Sequence, residues 1–160
     1  MITGERAVSR RVDYEPSPFL FDYQRDISAL AIRRQRYCVF ADCGLGKTLI
    51  MLEFARHALR SFNGSRRVLI VSPLMVVRQT IAECQKFYGT ALPLDHIRSS
   101  DVSRWLETGG EHIGITNYEA FSRSVNRGVL GCLIIDESSM LKSHYGKWGT
   151  ELIRLGRGID

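Results

Sequence analysis

The chain has 160 residues, 44% hydrophobic and 24% charged, about one domain's worth, and that balance excludes a disordered or fibrous class. No uninterrupted apolar run approaches the ~20 residues that a membrane span needs, and the N-terminus lacks an apolar signal core. A cytoplasmic protein with no membrane partner is therefore expected. The net charge of +5 rests on 18 Arg against 4 Lys, and arginine's planar fork suits phosphate, so an anionic partner such as nucleic acid is indicated.

Residues 1–18 are polar, rich in Arg and closed by Pro16 and Pro18, which predicts a loosely held arm ahead of a domain at 19–160. From Phe21 to Arg36 the spacing of Tyr23, Ile27, Leu30 and Ala31 predicts a helix, with Asp22 as its N-cap. Tyr37 to Ala41 is a short apolar run and reads as a buried strand. Lys47 to Phe62 carries apolar residues at helical spacing and is stopped by Asn63-Gly64. Val68 to Val71 predicts a strand closed by Ser72-Pro73, and Leu74 to Tyr88 a helix stopped by Gly89.

Asp95 to Arg98 reads as a third short strand, and Asp101 to Glu107 as a short helix capped by Asp101. His112 to Thr116 is a fourth strand, Tyr118 to Val125 a helix, Val129 to Ile135 a fifth strand, and Lys147 to Arg154 a last helix. Strands that are apolar on both faces and alternate with helices imply a mostly parallel sheet covered on both sides, an α/β domain of three layers. The four cysteines, Cys38, Cys43, Cys84 and Cys132, form no C-x-x-C pair. Reduced thiols fit better than a disulfide framework or a zinc site.

The strongest local signal is Ala41-Asp42-Cys43-Gly44-Leu45-Gly46-Lys47-Thr48, lying between a predicted strand and a predicted helix. It follows the phosphate-loop pattern G-x-x-x-x-G-K-[ST], with Ala41 in place of the first glycine. Gly44 and Gly46 permit backbone conformations closed to other residues. The N–H groups of Gly44, Leu45 and Gly46, with the helix N-terminus, would cradle phosphate. Lys47 would neutralise the terminal phosphates, and the Thr48 hydroxyl would face Mg2+. Downstream, Leu133-Ile134-Ile135-Asp136-Glu137 runs an apolar strand into two acids. Asp136 would hold Mg2+ through its water shell, and Glu137 would take the proton of an attacking water.

With these segments in view, the chain resembles the first RecA-like lobe of superfamily 2 helicases and translocases. The nearest flavour is the Swi/Snf-type DNA translocases, including phage helicases of that type. Residues 41–48 look like that group's motif I, Asp136-Glu137 like its motif II, Ile115-Thr116-Asn117-Tyr118-Glu119 like its Ile-Thr-x-Tyr-Glu segment, and residues 136–143 like its Asp-Glu-x-His-x-Leu-Lys-Asn. The resemblance spans residues 19–145 and implies ATP and Mg2+ as cofactors, a RecA-like P-loop fold, and a nucleic-acid partner, with DNA favoured over RNA and both left open.

By the same resemblance, Gln24, 23 residues before Lys47, stands where the family places a glutamine that pairs with adenine, with Phe19 or Phe21 stacking on the base. Ser72, Arg78, Thr116 and Asn117 stand where the family touches a nucleic-acid backbone. Ser139 stands where the family often has His, and His144 nearby reads as a surface residue. The family continues into a motif III strand and a second RecA-like lobe with an arginine finger worth roughly 10³–10⁵ in rate. The chain therefore reads as a fragment of a longer protein rather than a solitary first lobe, though both readings stay open, with a phage or bacterial origin suggested, weak or no activity by itself and an uncovered sheet edge. Two rivals remain: a non-hydrolysing nucleotide-binding or interaction module, and a P-loop phosphotransferase.

Overall fold

The computed structural model describes residues 13–39, 44–141, 146–157 and 159. Its centre is a sheet of four parallel strands: β1 (Arg67–Ser72), β2 (Leu94–His96), β3 (Ile113–Asn117) and β4 (Leu130–Ile135). Their order across the sheet is β2-β3-β1-β4. β1 pairs with β3 from Val68↔Ile113 to Ser72↔Asn117, and with β4 up to Val71↔Ile135. The helices are α1 (Asp22–Arg34), α2 (Lys47–Phe62), α3 (Leu74–Tyr88), α4 (Val102–Trp105) and α5 (Lys147–Gly156).

Successive side chains of a strand point to opposite faces, and here both faces are apolar. Val68, Ile70, Ile113, Ile115 and Cys132 pack with Leu52 and Ala55 of α2 and with Val77 and Cys84 of α3. Leu69, Val71 and Leu130 face the other way, against Val102, Phe121, Val125, and Leu152 and Leu155 of α5. The expected three-layer, RecA-like α/β fold with helices on both faces is therefore present. Gly114 has no room for a side chain because a Cβ would crowd Trp105 and Ile97.

Several local expectations give way to tertiary structure. Tyr37 to Val39 form no strand, and Tyr37 and Cys38 are exposed rather than buried. Gln35 closes α1 with φ +59, and β4 forms an edge of the sheet, so no ladder receives these residues. Phe40 and Ala41 lie outside the described residues. Helix α1 has Phe21, not Asp22, as its N-cap, and it buries Gln24, Ser28, Ala31 and Ile32 rather than the Tyr23 side.

The predicted helix at Tyr118–Val125 is a 3-10 turn over Tyr118–Ser122. The backbone of Val125 is taken elsewhere: its N–H donates to Glu151 at 2.7 Å, and its carbonyl accepts from Arg154 at 2.6 Å. The third strand ends at His96, not Arg98, and the cap expected of Asp101 makes no side-chain hydrogen bond. The described part of the N-terminal arm is tied down: Ser17 is buried and hydrogen-bonded to Glu53 of α2.

Candidate functional site

Two features stand toward the carboxyl end of the sheet, where ligands of parallel α/β domains lie: the last residue of α2, Phe62, packs beside Gly131 near the start of β4, so the N-terminus of α2 points to the opposite end. The first is the loop into α2. Gly44 and Gly46 take φ +83 and +65, the left-handed region that glycine enters at little cost. Gly46 is the N-cap of α2, with no side-chain cap and no acidic residue in the first turn. The first N–H groups of a helix have no partner inside it, and the helix dipole favours an anion there. Lys47 and Thr48, both half-buried, are the first two residues of α2. Ala41, Asp42 and Cys43 lie outside the described residues.

The loop is braced from α1. Tyr23 donates its hydroxyl to the Leu45 carbonyl at 3.2 Å, and Gln24 donates an amide N–H to the Gly46 carbonyl at 3.4 Å. The Gln24 carbonyl oxygen accepts from the Phe21 N–H at 3.0 Å, and the side chain is 1% exposed. Gln24 thus sits beneath the loop rather than facing a base. A Cβ at Gly46 would overlap its amide nitrogen, so a side chain there would have to displace the Gln24 amide, and φ +65 independently favours glycine. Phe21 is 66% exposed and stacks on Tyr23 with ring centroids 5.9 Å apart. Phe19 instead packs on Phe87 and Tyr88 of α3.

The second feature is the end of β4. The Asp136 N–H donates to Val71 O at 2.8 Å, which continues the ladder with β1 by one residue. One carboxylate oxygen of Asp136 accepts from the Ser72 hydroxyl at 2.8 Å. Ser72 lies on the face covered by α2 and α3, so Asp136 turns toward the side that carries the phosphate loop. Glu137 takes φ +58, is exposed, and accepts a hydrogen bond from the Ser139 hydroxyl. The Tyr118 hydroxyl donates to the Asp136 carbonyl and, at 3.2 Å, to the Glu137 carbonyl. Burial, then the charges of Asp136 and Glu137, push the Tyr118 pKa up, so it stays a donor.

Of the four residues expected at nucleic acid, only Arg78 is exposed. Ser72 and Thr116 are fully buried. Asn117 accepts from the Ser99 hydroxyl at 3.1 Å and from the Glu119 N–H at 2.9 Å, capping the turn that begins at Tyr118. His144 lies outside the described residues. Cys38, Cys84 and Cys132 are free thiols. Among the described residues no helix is long and apolar enough to cross a membrane.

Sequence reasoning missed a charged hub under the N-terminal segment. Glu53 of α2 is fully buried. Its carboxylate accepts from Tyr14 at 2.8 Å, the Ser17 hydroxyl at 2.6 Å, Tyr88 at 2.7 Å, and two nitrogens of Arg56 at 3.0 and 2.9 Å. Burial pushes its pKa up, but the hydrogen bonds from Arg56, Ser17, Tyr88 and Tyr14 outweigh burial and hold it at about 2. A Glu and an Arg three residues apart on the apolar stripe of α2 were the signal available. A cavity of about 190 Å³ lies beside this hub, lined by Tyr14, Arg56, His57 and Arg60. It is separate from the phosphate loop.

The donor set suits Mg2+ brought in on a nucleotide. One carboxylate and one hydroxyl are oxygen donors of the kind Mg2+ takes alongside substrate phosphates. Among the described residues no group of three or more His, Cys, Asp or Glu is placed to hold a metal by itself. Residues 19–147 match the family described as type III restriction enzyme, res subunit. The chain belongs to that family. It is an ATP-binding lobe of the helicase type, within superfamily 2. No curated protein matches the chain.

Proposed function

We propose that this lobe hydrolyses ATP to ADP and phosphate, and that nucleic acid stimulates the reaction. The observation that carries the reading is the placing of an uncapped α2 N-terminus and an externally braced Asp136-Glu137 turn at one end of a parallel sheet. The N–H groups of Gly44 to Thr48 and the Lys47 ammonium bind the phosphates. Thr48 and Asp136 would hold Mg2+, which supplies charge neutralisation at the transferring phosphoryl group. Glu137 accepts a proton from water as its oxygen bonds to the terminal phosphorus. The bond to the bridging oxygen breaks and ADP leaves. The exposed, stacked Phe21 supports a base-stacking role beside the loop. Gln24 would reach a base only by releasing Gly46.

The finer reading is a Swi/Snf-type DNA translocase that works with a second RecA-like lobe. It rests on the likeness of residues 41–48, 115–119 and 136–143. The backbone at the ends of β1 and β3, with Arg78, would face the DNA. Such contacts set affinity and salt dependence rather than base preference. The test is phosphate release from ATP–Mg2+, alone and with single-stranded DNA, duplex DNA or RNA. Duplex DNA should stimulate release most. Lys47→Ala should remove nucleotide binding, and Glu137→Gln should keep binding while stopping release. Full turnover in Glu137→Gln would remove Glu137 from the base role, and nucleotide binding without any release in the wild type would favour a non-hydrolysing module.

A further inference from the structure

Three non-glycine residues among those described have positive φ: Gln35, Asn63 and Glu137. Gln35 and Asn63 sit at the C-caps of α1 and α2, where helices commonly end in that conformation. Glu137 ends no helix. It stands between the end of β4 and the 3-10 turn Ser138–Leu141, where a side chain with a Cβ turns left-handed at a cost. Something outside the turn must hold it there.

The Tyr118 hydroxyl is placed to do so. Successive carbonyls of an extended strand point to opposite sides. Those of Asp136 and Glu137 both reach one hydroxyl, which requires the chain to leave the extended form between them. The ring itself is fixed independently of the hydroxyl. It is 2% exposed and stacks on Trp148 of α5 with centroids 5.8 Å apart. The Trp148 indole N–H in turn donates to the Ser122 hydroxyl at 2.8 Å.

We propose that Tyr118 is a positioning residue for Glu137: its hydroxyl gathers the Asp136 and Glu137 carbonyls, holds Glu137 left-handed, and so aims the Glu137 carboxylate. This inference rests on the proposed role of Glu137 as base. The Tyr118→Phe variant keeps the ring and its stack on Trp148 and removes only the hydroxyl.

Two readouts test it on the full chain. In Tyr118→Phe, the carbonyl ¹³C chemical shifts of Asp136 and Glu137 should move while that of Ile70 stays. In phosphate release, kcat should fall about tenfold, the worth of one hydrogen bond, with KM for ATP unchanged and the thermal midpoint lowered by no more than a few degrees. Unmoved carbonyl shifts would overturn the inference, and so would an unchanged kcat or a loss of kcat matched by a loss of nucleotide affinity. A wild type whose release equals that of Glu137→Gln would instead show that the base assignment has failed. The carbonyl shifts then decide by themselves whether Tyr118 holds the turn.

Discussion

Replacing Glu53 by Gln should destabilise the domain by about 3 kcal/mol at neutral pH. The substitution keeps shape and volume but removes the charge that faces Arg56. Arg56 stays nearly buried, and its guanidinium is left with a neutral amide oxygen in place of the carboxylate, beside the Glu15 carbonyl at 2.6 Å. Breaking a buried pair by deleting one partner costs about 3–5 kcal/mol. Proton linkage gives a similar figure. The Glu53 carboxyl is lowered from its ordinary 4.5 to about 2, and each unit is worth about 1.36 kcal/mol, so the ionised form contributes about 3 kcal/mol.

The sign follows from the lowered pKa. The contribution is complete above the unfolded value of 4.5 and is lost as pH falls through 4.5 toward about 2. Urea unfolding of wild type and Glu53→Gln at a series of pH values measures it. The gap between the two proteins should be widest near pH 7 and should narrow on acidification, because the wild type loses what the variant already lacks. For a domain of this length the neutral-pH loss lowers the melting temperature by about 6–12 °C. Changing Glu53 to Met together with Arg56 to Leu should not recover the loss, because the hydroxyls of Tyr14, Ser17 and Tyr88 would lose their acceptor. A gap below about 1 kcal/mol at pH 7, or one that does not narrow in acid, would refute the argument.

The same carboxylate anchors Ser17, and the chain then runs directly into Phe21 and Gln24, which brace Gly46. Ser72→Ala should weaken Mg2+–ATP binding by about tenfold, one hydrogen bond's worth, and leave metal-free nucleotide binding unchanged, as titrations with and without chelator would show. Gly46→Ala should lower both the melting temperature and nucleotide affinity, and adding Gln24→Ala should restore part of the thermal loss by clearing the space beside the new methyl group. Gln24→Ala by itself should weaken ATP and GTP by the same factor, measured by competition binding. A changed ATP-to-GTP ratio would show that the amide reads the base.

What was legible in the sequence is what local patterns determine. Leu52, Ala55, Val68 and Ile70 mark buried faces by spacing alone, and α2 and α3 begin and end where Gly46, Pro73, Asn63 and Gly89 place them. The turn ahead of α2 was legible for the same reason: Gly44 and Gly46 carry positive φ, which glycine takes at little cost. The misreadings share the opposite cause. Tyr37 to Val39 have the composition of a strand but no neighbour to pair with. Val125 has helical company but gives its backbone to Glu151 and Arg154 of α5. Gln24 and Ser28 occupy the inner face of α1, a polar stripe that hydrophobic spacing does not detect. Glu53 gathers Tyr14 and Ser17 from one stretch of chain and Tyr88 from another, and no window on the sequence contains them together.

The residues expected to face ligands and those found bracing the site are the same for a geometric reason. Parallel neighbours lie about 4.8 Å apart, so residues in register at the ends of β1, β3 and β4 are within reach of one another before any ligand arrives. Ser72 therefore meets Asp136, and the residue after Asn117 meets the backbone of Asp136 and Glu137. The Ser72 and Tyr118 hydroxyls find carboxylate and carbonyl acceptors there, whereas the buried Thr116 hydroxyl has no partner among the described residues. Ser72 and Tyr118 thus frame the two acids, and in the proposed reading contact with a long anionic partner would pass to backbone and to exposed Arg78. A polar residue at the end of a parallel strand is consequently better read first by its register partner than by the ligand its motif is known for.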